Sequence, residues 1–143
     1  MKIKLNLILI ACALSLSSVL VATARDRNTP RVAFATSAVP AGEQVYTGAI
    51  IGQTNGLAYT VRSDSSTLTV IGVAQNAAAS NETVLARSGI FGLKNNGTVA
   101  VANIGSNAYA ATNTGYTVSS SGTVAVGKIV TVDSDYVWVR VGL

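Results

Sequence analysis

The chain has 143 residues, ten basic and six acidic, a net charge of +4, a single cysteine and no histidine. That length suits one domain. Cys12 alone excludes an internal disulfide framework and, without histidine, a Cys/His zinc site or a Ser–His or Cys–His nucleophile pair within one chain.

Residues 1–24 differ from everything after them. Lys2 and Lys4 precede an uncharged run from Leu5 to Ala22, and Ala22-Thr23-Ala24 forms an A-x-A pattern before Arg25. This is the layout of a secretory signal peptide. Competing readings are a lipoprotein box at Leu9-Ile10-Ala11-Cys12, a retained membrane anchor near the minimum spanning length, a helical arm kept in an assembly, and a start-codon artefact. Taken alone, the segment favours a cleaved signal. Residues 25–38 then read as an extended basic arm, opening Arg25-Asp26-Arg27-Asn28-Thr29-Pro30-Arg31. Pro30 disfavours helix at Thr29, and the arm reads as extended and mobile, a solvated tail unless an acidic protein or phosphate partner orders it.

Residues 39–143 read as one β domain, so the fold expected is all-β, a compact β-barrel or β-sandwich. Val39-Pro40-Ala41-Gly42 is a turn. Gln44 to Gly52 reads as a strand, joined through the hairpin signal Asn55-Gly56 to Leu57–Arg62. Leu68 to Ala74 is a largely apolar strand suited to burial. Thr83 to Leu93 reads as one strand, with Gly89 and Gly92 marking a bulge or a close backbone approach. Ala100 to Ile104 is a short turn at most. Three strands follow: Asn107–Ala111, Val124–Val132 and Tyr136–Val141. The expected core comprises Val45, Ile71, Val73, Phe91, Val126, Val137 and Val139.

The carboxy-terminal stretch partly repeats an earlier one. Gly42–Tyr46 matches Gly105–Tyr109, Gly56–Val61 resembles Gly115–Val118, and Val70–Ala74 resembles Ala125–Ile129, in the same order. Two such motifs can pack as halves of one barrel or sandwich.

Candidate chemistry is sparse. Asp133 and Asp135 are the only close acidic pair, and Asp in a hairpin turn ordinarily caps backbone groups. Glycines are spaced as strand punctuation, with no Walker-type loop. No catalytic residue, cofactor site or metal site is expected. No basic stripe interleaved with aromatics follows the arm, so no nucleic-acid partner is expected. The last strand alternates, with Val137, Val139 and Val141 on one face. Its other face carries Tyr136, Trp138 and Arg140, residue types enriched at interfaces. These three, with Arg25, Arg27, Asn28, Pro30 and Arg31 of the arm, are the candidate contact residues.

Residues 25–143 resemble the small head decoration (cement) and head-fibre proteins of tailed bacteriophages. The resemblance rests on Asp26-Arg27-Asn28-Thr29-Pro30-Arg31, Ala41-Gly42, Ile71-Gly72-Val73-Ala74 and Ser88-Gly89-Ile90-Phe91. It continues through Ile104-Gly105 before Ala108-Tyr109, Val126-Gly127-Lys128-Ile129-Val130 and Asp135-Tyr136-Val137-Trp138-Val139. The motifs are short, and their order is the specific part. The resemblance implies a non-enzymatic β-barrel-like domain on the outer capsid surface of the virion. Its partners would be the major capsid protein and itself, often as a homotrimer, with no membrane for the mature domain. Residues 1–24 depart from this pattern, because capsid proteins assemble in the host cytoplasm. An exported β-rich surface or fibre subunit at the cell surface is the alternative.

Overall fold

The computed structural model describes residues 35–142. The described chain is nearly all β, as its composition implied. In order, the strands are β1 Thr36–Pro40, β2 Ile50–Thr54, β3 Leu57–Thr60, β4 Thr69–Ala74, β5 Thr83–Arg87, β6 Gly89–Asn95, β7 Asn107–Ala110, β8 Thr117–Ser119, β9 Ala125–Val132 and β10 Tyr136–Val141. A short 3-10 turn, Val101–Asn103, lies between β6 and β7. The first five strands form a sheet in the order β1-β5-β4-β2-β3, and the last five close a barrel in the order β10-β6-β8-β7-β9.

Several elements follow directly from their residues. In β10 the valines point inward and are fully buried while Tyr136, Trp138 and Arg140 face out. Asn55 (φ 51°) and Gly56 (φ 79°) both take positive φ between β2 and β3, as a two-residue type I′ hairpin requires. β4 is apolar from Val70 onward because both its faces are covered there. Ile71 and Ala74 pack in the core of the amino-terminal sheet, whereas Val70 and Val73 join the core of the barrel.

Other expectations are corrected. The strand expected at Gln44–Gly52 begins only at Ile50; Val45 makes a single bridge to Ala78, and a turn closed by Ala49 N–H to Tyr46 O (3.2 Å) intervenes. The single strand expected at Thr83–Leu93 is two strands in different sheets. The chain crosses between them at buried Ser88, whose Oγ accepts from Ala35 N–H (3.0 Å) and donates to Ala35 O (3.3 Å). β8 was not among the expected strands; it runs parallel to β6. Residues 36–38, assigned to the arm, and Val39 and Pro40, assigned to a turn, belong to β1 and pair with β5. The core is two clusters, with Val45 in the sheet and Val73, Val126, Val137 and Val139 in the barrel. Ile71 and Phe91 are only partly buried against them.

The sheet and the barrel are built alike. Taken from its first strand, the barrel order is β6-β10-β9-β7-β8, which repeats β1-β5-β4-β2-β3 strand for strand. β4 carries a bulge at Ile71, between the partners of Ile51 and Gly52 on β2, and β9 one at Val126, between the partners of Ala108 and Tyr109 on β7. Gly48 N–H donates to Ala74 O (2.8 Å), and Gly105 N–H to Ile129 O (2.9 Å). Ala74 N–H returns to Ala49 O (2.9 Å), and Ile129 N–H to Ser106 O (3.0 Å). The repeat read in the sequence is therefore structural, with a changed alignment. Val70–Ala74 corresponds to Ala125–Ile129 as read. Gly105 matches Gly48 rather than Gly42, and Val118 matches Ala58, one position from the sequence alignment.

One residue accounts for the difference in closure. The barrel is sealed by parallel pairing of β6 with β8, where Lys94 N–H donates to Tyr116 O (3.0 Å) and Asn96 N–H to Val118 O (3.1 Å). The sheet retains the second contact, Gly42 N–H to Ala58 O (2.8 Å). By register, however, Pro40 stands where Lys94 stands in the barrel. Proline has no N–H to donate, so β1 and β3 meet only at the single parallel bridge Ala41–Ala58 and form no continuous ladder.

Candidate interaction surface on the barrel

Tyr136, Trp138 and Arg140 lie side by side on the outer face of β10, as their alternation implied. Tyr136 is 51% exposed and Trp138 39%. The other candidates, Arg25, Arg27, Asn28, Pro30 and Arg31, lie outside the described residues. The flanking strands widen the row. Tyr136 pairs with Lys94 on β6, Trp138 with Gly92 on β6 and Thr131 on β9, and Arg140 with Ile90 on β6 and Lys128 on β9. Ile90 and Val130 are exposed on the same strands.

Trp138 is held in place rather than free. Its Nε1–H donates to Asp133 Oδ2 (2.9 Å). Asp133 Oδ1 meanwhile accepts from Tyr136 N–H (2.8 Å) and Asp135 N–H (3.1 Å), capping the β9–β10 turn. The six-membered ring lies over Gly92, its carbons 3.6 Å from where a Cβ on that glycine would sit. Glycine opposite an aromatic lets the ring rest on the sheet. The indole, the Tyr136 amide and the Asp135 amide together hold the Asp133 carboxyl below its usual pKa, with only slight opposition from desolvation.

Asp133 thus does the turn chemistry its sequence position suggested, with one addition, whereas the Asp135 carboxylate accepts only from Ser134 Oγ (3.4 Å). Asp133 also orients the tryptophan, which was not foreseen. The available signal was an Asp opening a turn five residues before the only Trp, on a strand that folds back across it. Lys94, Gly92 and Lys128 were missed because strand pairing alone places them. Beside Tyr136, a cleft of about 480 Å³ is lined by Lys94, Asn95, Gly97, Ser134 and Asp135.

Charge is unevenly spent. Arg62 is paired to Glu43 at 2.7 Å. Lys94, Lys128 and Arg140 have no ion-pair partner among the described residues. No group of three or more His, Cys, Asp or Glu suited to a metal ion occurs among the described residues. None of their helices is long and apolar enough to cross a membrane. Comparison with family models, curated proteins and solved structures returns no match.

Proposed function

We propose that this chain is a decoration protein that binds the outside of a tailed-phage head and stabilises it by non-covalent contact. The observation that carries the reading is the fixed, exposed row Tyr136–Trp138–Arg140 on a closed barrel. An oriented aromatic loses little side-chain entropy on docking, and Trp, Tyr and Arg dominate the energetics of protein interfaces. The order of short motifs shared with head decoration and head-fibre proteins supplies the partner, a major capsid protein, and the trimer as the working assembly. A ligand that binds only the assembled shell stabilises it by mass action, so many copies with modest affinity suffice. Catalysis has no part in this reading.

The test is attachment. Purified parent protein should co-sediment with stripped heads, and Trp138→Ala should bind at least about tenfold more weakly, a typical hot-spot loss. Equal binding would remove the row from the interface. A second reading, an exported surface or fibre subunit, is favoured by Ala22-Thr23-Ala24 before Arg25. Intact mass and location of the mature protein, from purified virions or from the cell surface, distinguish the two.

A further inference from the structure

The duplicated fold makes the outer face of the barrel informative. In the amino-terminal sheet, Ile50 and Val73 are a register pair across β2 and β4. Both are buried in the core cluster of the barrel. This outer face is therefore a docking face. The corresponding pair on the barrel is Asn107 and Lys128, across β7 and β9. Here the same position is polar, Lys128 is exposed, and nothing among the described residues covers it.

Lys128 has a second neighbour. Across β9 and β10 it stands directly opposite Arg140, and both face out. Like charges directly opposed on a sheet are destabilising. Neither cation has an ion-pair partner among the described residues. Of the two carboxylates in the β9–β10 turn, Asp133 is occupied by Trp138 and two amides, and neither Asp133 nor Asp135 forms an ion pair with Lys128 or Arg140. The barrel thus keeps an unneutralised cation pair at the position where its duplicate keeps an interface, two residues along β10 from a fixed tryptophan.

We infer that Lys128 and Arg140 form an oxyanion-binding subsite that seats a carboxylate from an acidic polypeptide segment of the docking partner, beside Trp138. Charge complementarity selects the sign of the partner. The apolar and aromatic neighbours Ile90, Val130, Tyr136 and Trp138 favour polypeptide over nucleic acid, which calls for a longer basic stripe. This rests on the decoration reading and adds the chemistry of the surface it would meet.

Trp138 is the only tryptophan, so its fluorescence reports on the site in the intact protein. Titration with poly-L-glutamate at constant ionic strength should change its emission saturably. Lys128→Gln with Arg140→Gln should weaken that binding about tenfold or more, while the melting temperature of the unliganded double variant equals or exceeds that of the parent. Inorganic phosphate at matched ionic strength should give no saturable change. Equal affinity of parent and variant for poly-L-glutamate would overturn the inference. So would a response to phosphate or to oligo-dT without one to poly-L-glutamate, or a double variant of lower melting temperature. If poly-L-glutamate binds as expected but the protein does not attach to heads, the subsite stands and the decoration reading fails. If Trp138→Ala loses heads while the double variant binds poly-L-glutamate normally, the reverse holds.

Discussion

Trp138 is the residue on which the proposed contact turns, and Asp133 is what orients it. Asp133→Ala should free the indole: emission should move to longer wavelength and anisotropy should fall, with the barrel still folded. Unchanged emission would mean that Gly92 and packing alone position the ring. The same bond has a pH signature. Because the folded-state pKa of Asp133 is lowered from 3.8, its contribution is present above that value and is lost as pH falls through the lower folded value. Trp138 emission should therefore stay constant from neutral pH to about 4 and change only in more acid solution. A transition near neutral pH would assign the titration to another group.

At the scale of elements, the bulges of β4 and β9 are an irregularity that the two copies share. A Cβ on Gly127 would collide with Arg140 O, and one on Gly72 would meet Arg87 O at 2.5 Å. Gly127→Ala must displace backbone, so a loss of about 1–3 kcal/mol is expected, a fall of several degrees in melting temperature. Gly92→Ala is the control, since its Cβ would meet the Trp138 ring at 3.6 Å, ordinary contact. Val139→Asp, which puts a charge in the barrel core, should prevent folding. These contrasts also explain what could be read in advance. β10 was legible to the residue because one face is buried and one exposed, and the β2–β3 hairpin because Asn55-Gly56 names its own turn. β5 and β6 ran together because crossing from one sheet to another at Ser88 leaves no break in β composition. β8, three residues long, is too short to show a period. The missing ladder at Pro40 and the Lys128–Arg140 opposition depend on which strands pair, which local pattern does not encode.

For the whole molecule, the covering of Ile50, Val61 and Val73 by the barrel core means that the amino-terminal sheet is incomplete alone. A chain ending at Arg87 would expose this apolar face. It is expected to associate or stay unfolded, as judged by sedimentation and circular dichroism; a stable monomer would show that the contact between the halves is dispensable. The intact domain, with its cores covered and few charges to desolvate, is suited to adding surface contact to a larger shell. The most direct measurement is the temperature at which heads release DNA, compared between stripped particles and the same particles after the purified protein is added back. Decorated particles should release DNA at a higher temperature, and Trp138→Ala should not restore it. Release at the same temperature with and without the parent protein would contradict the account.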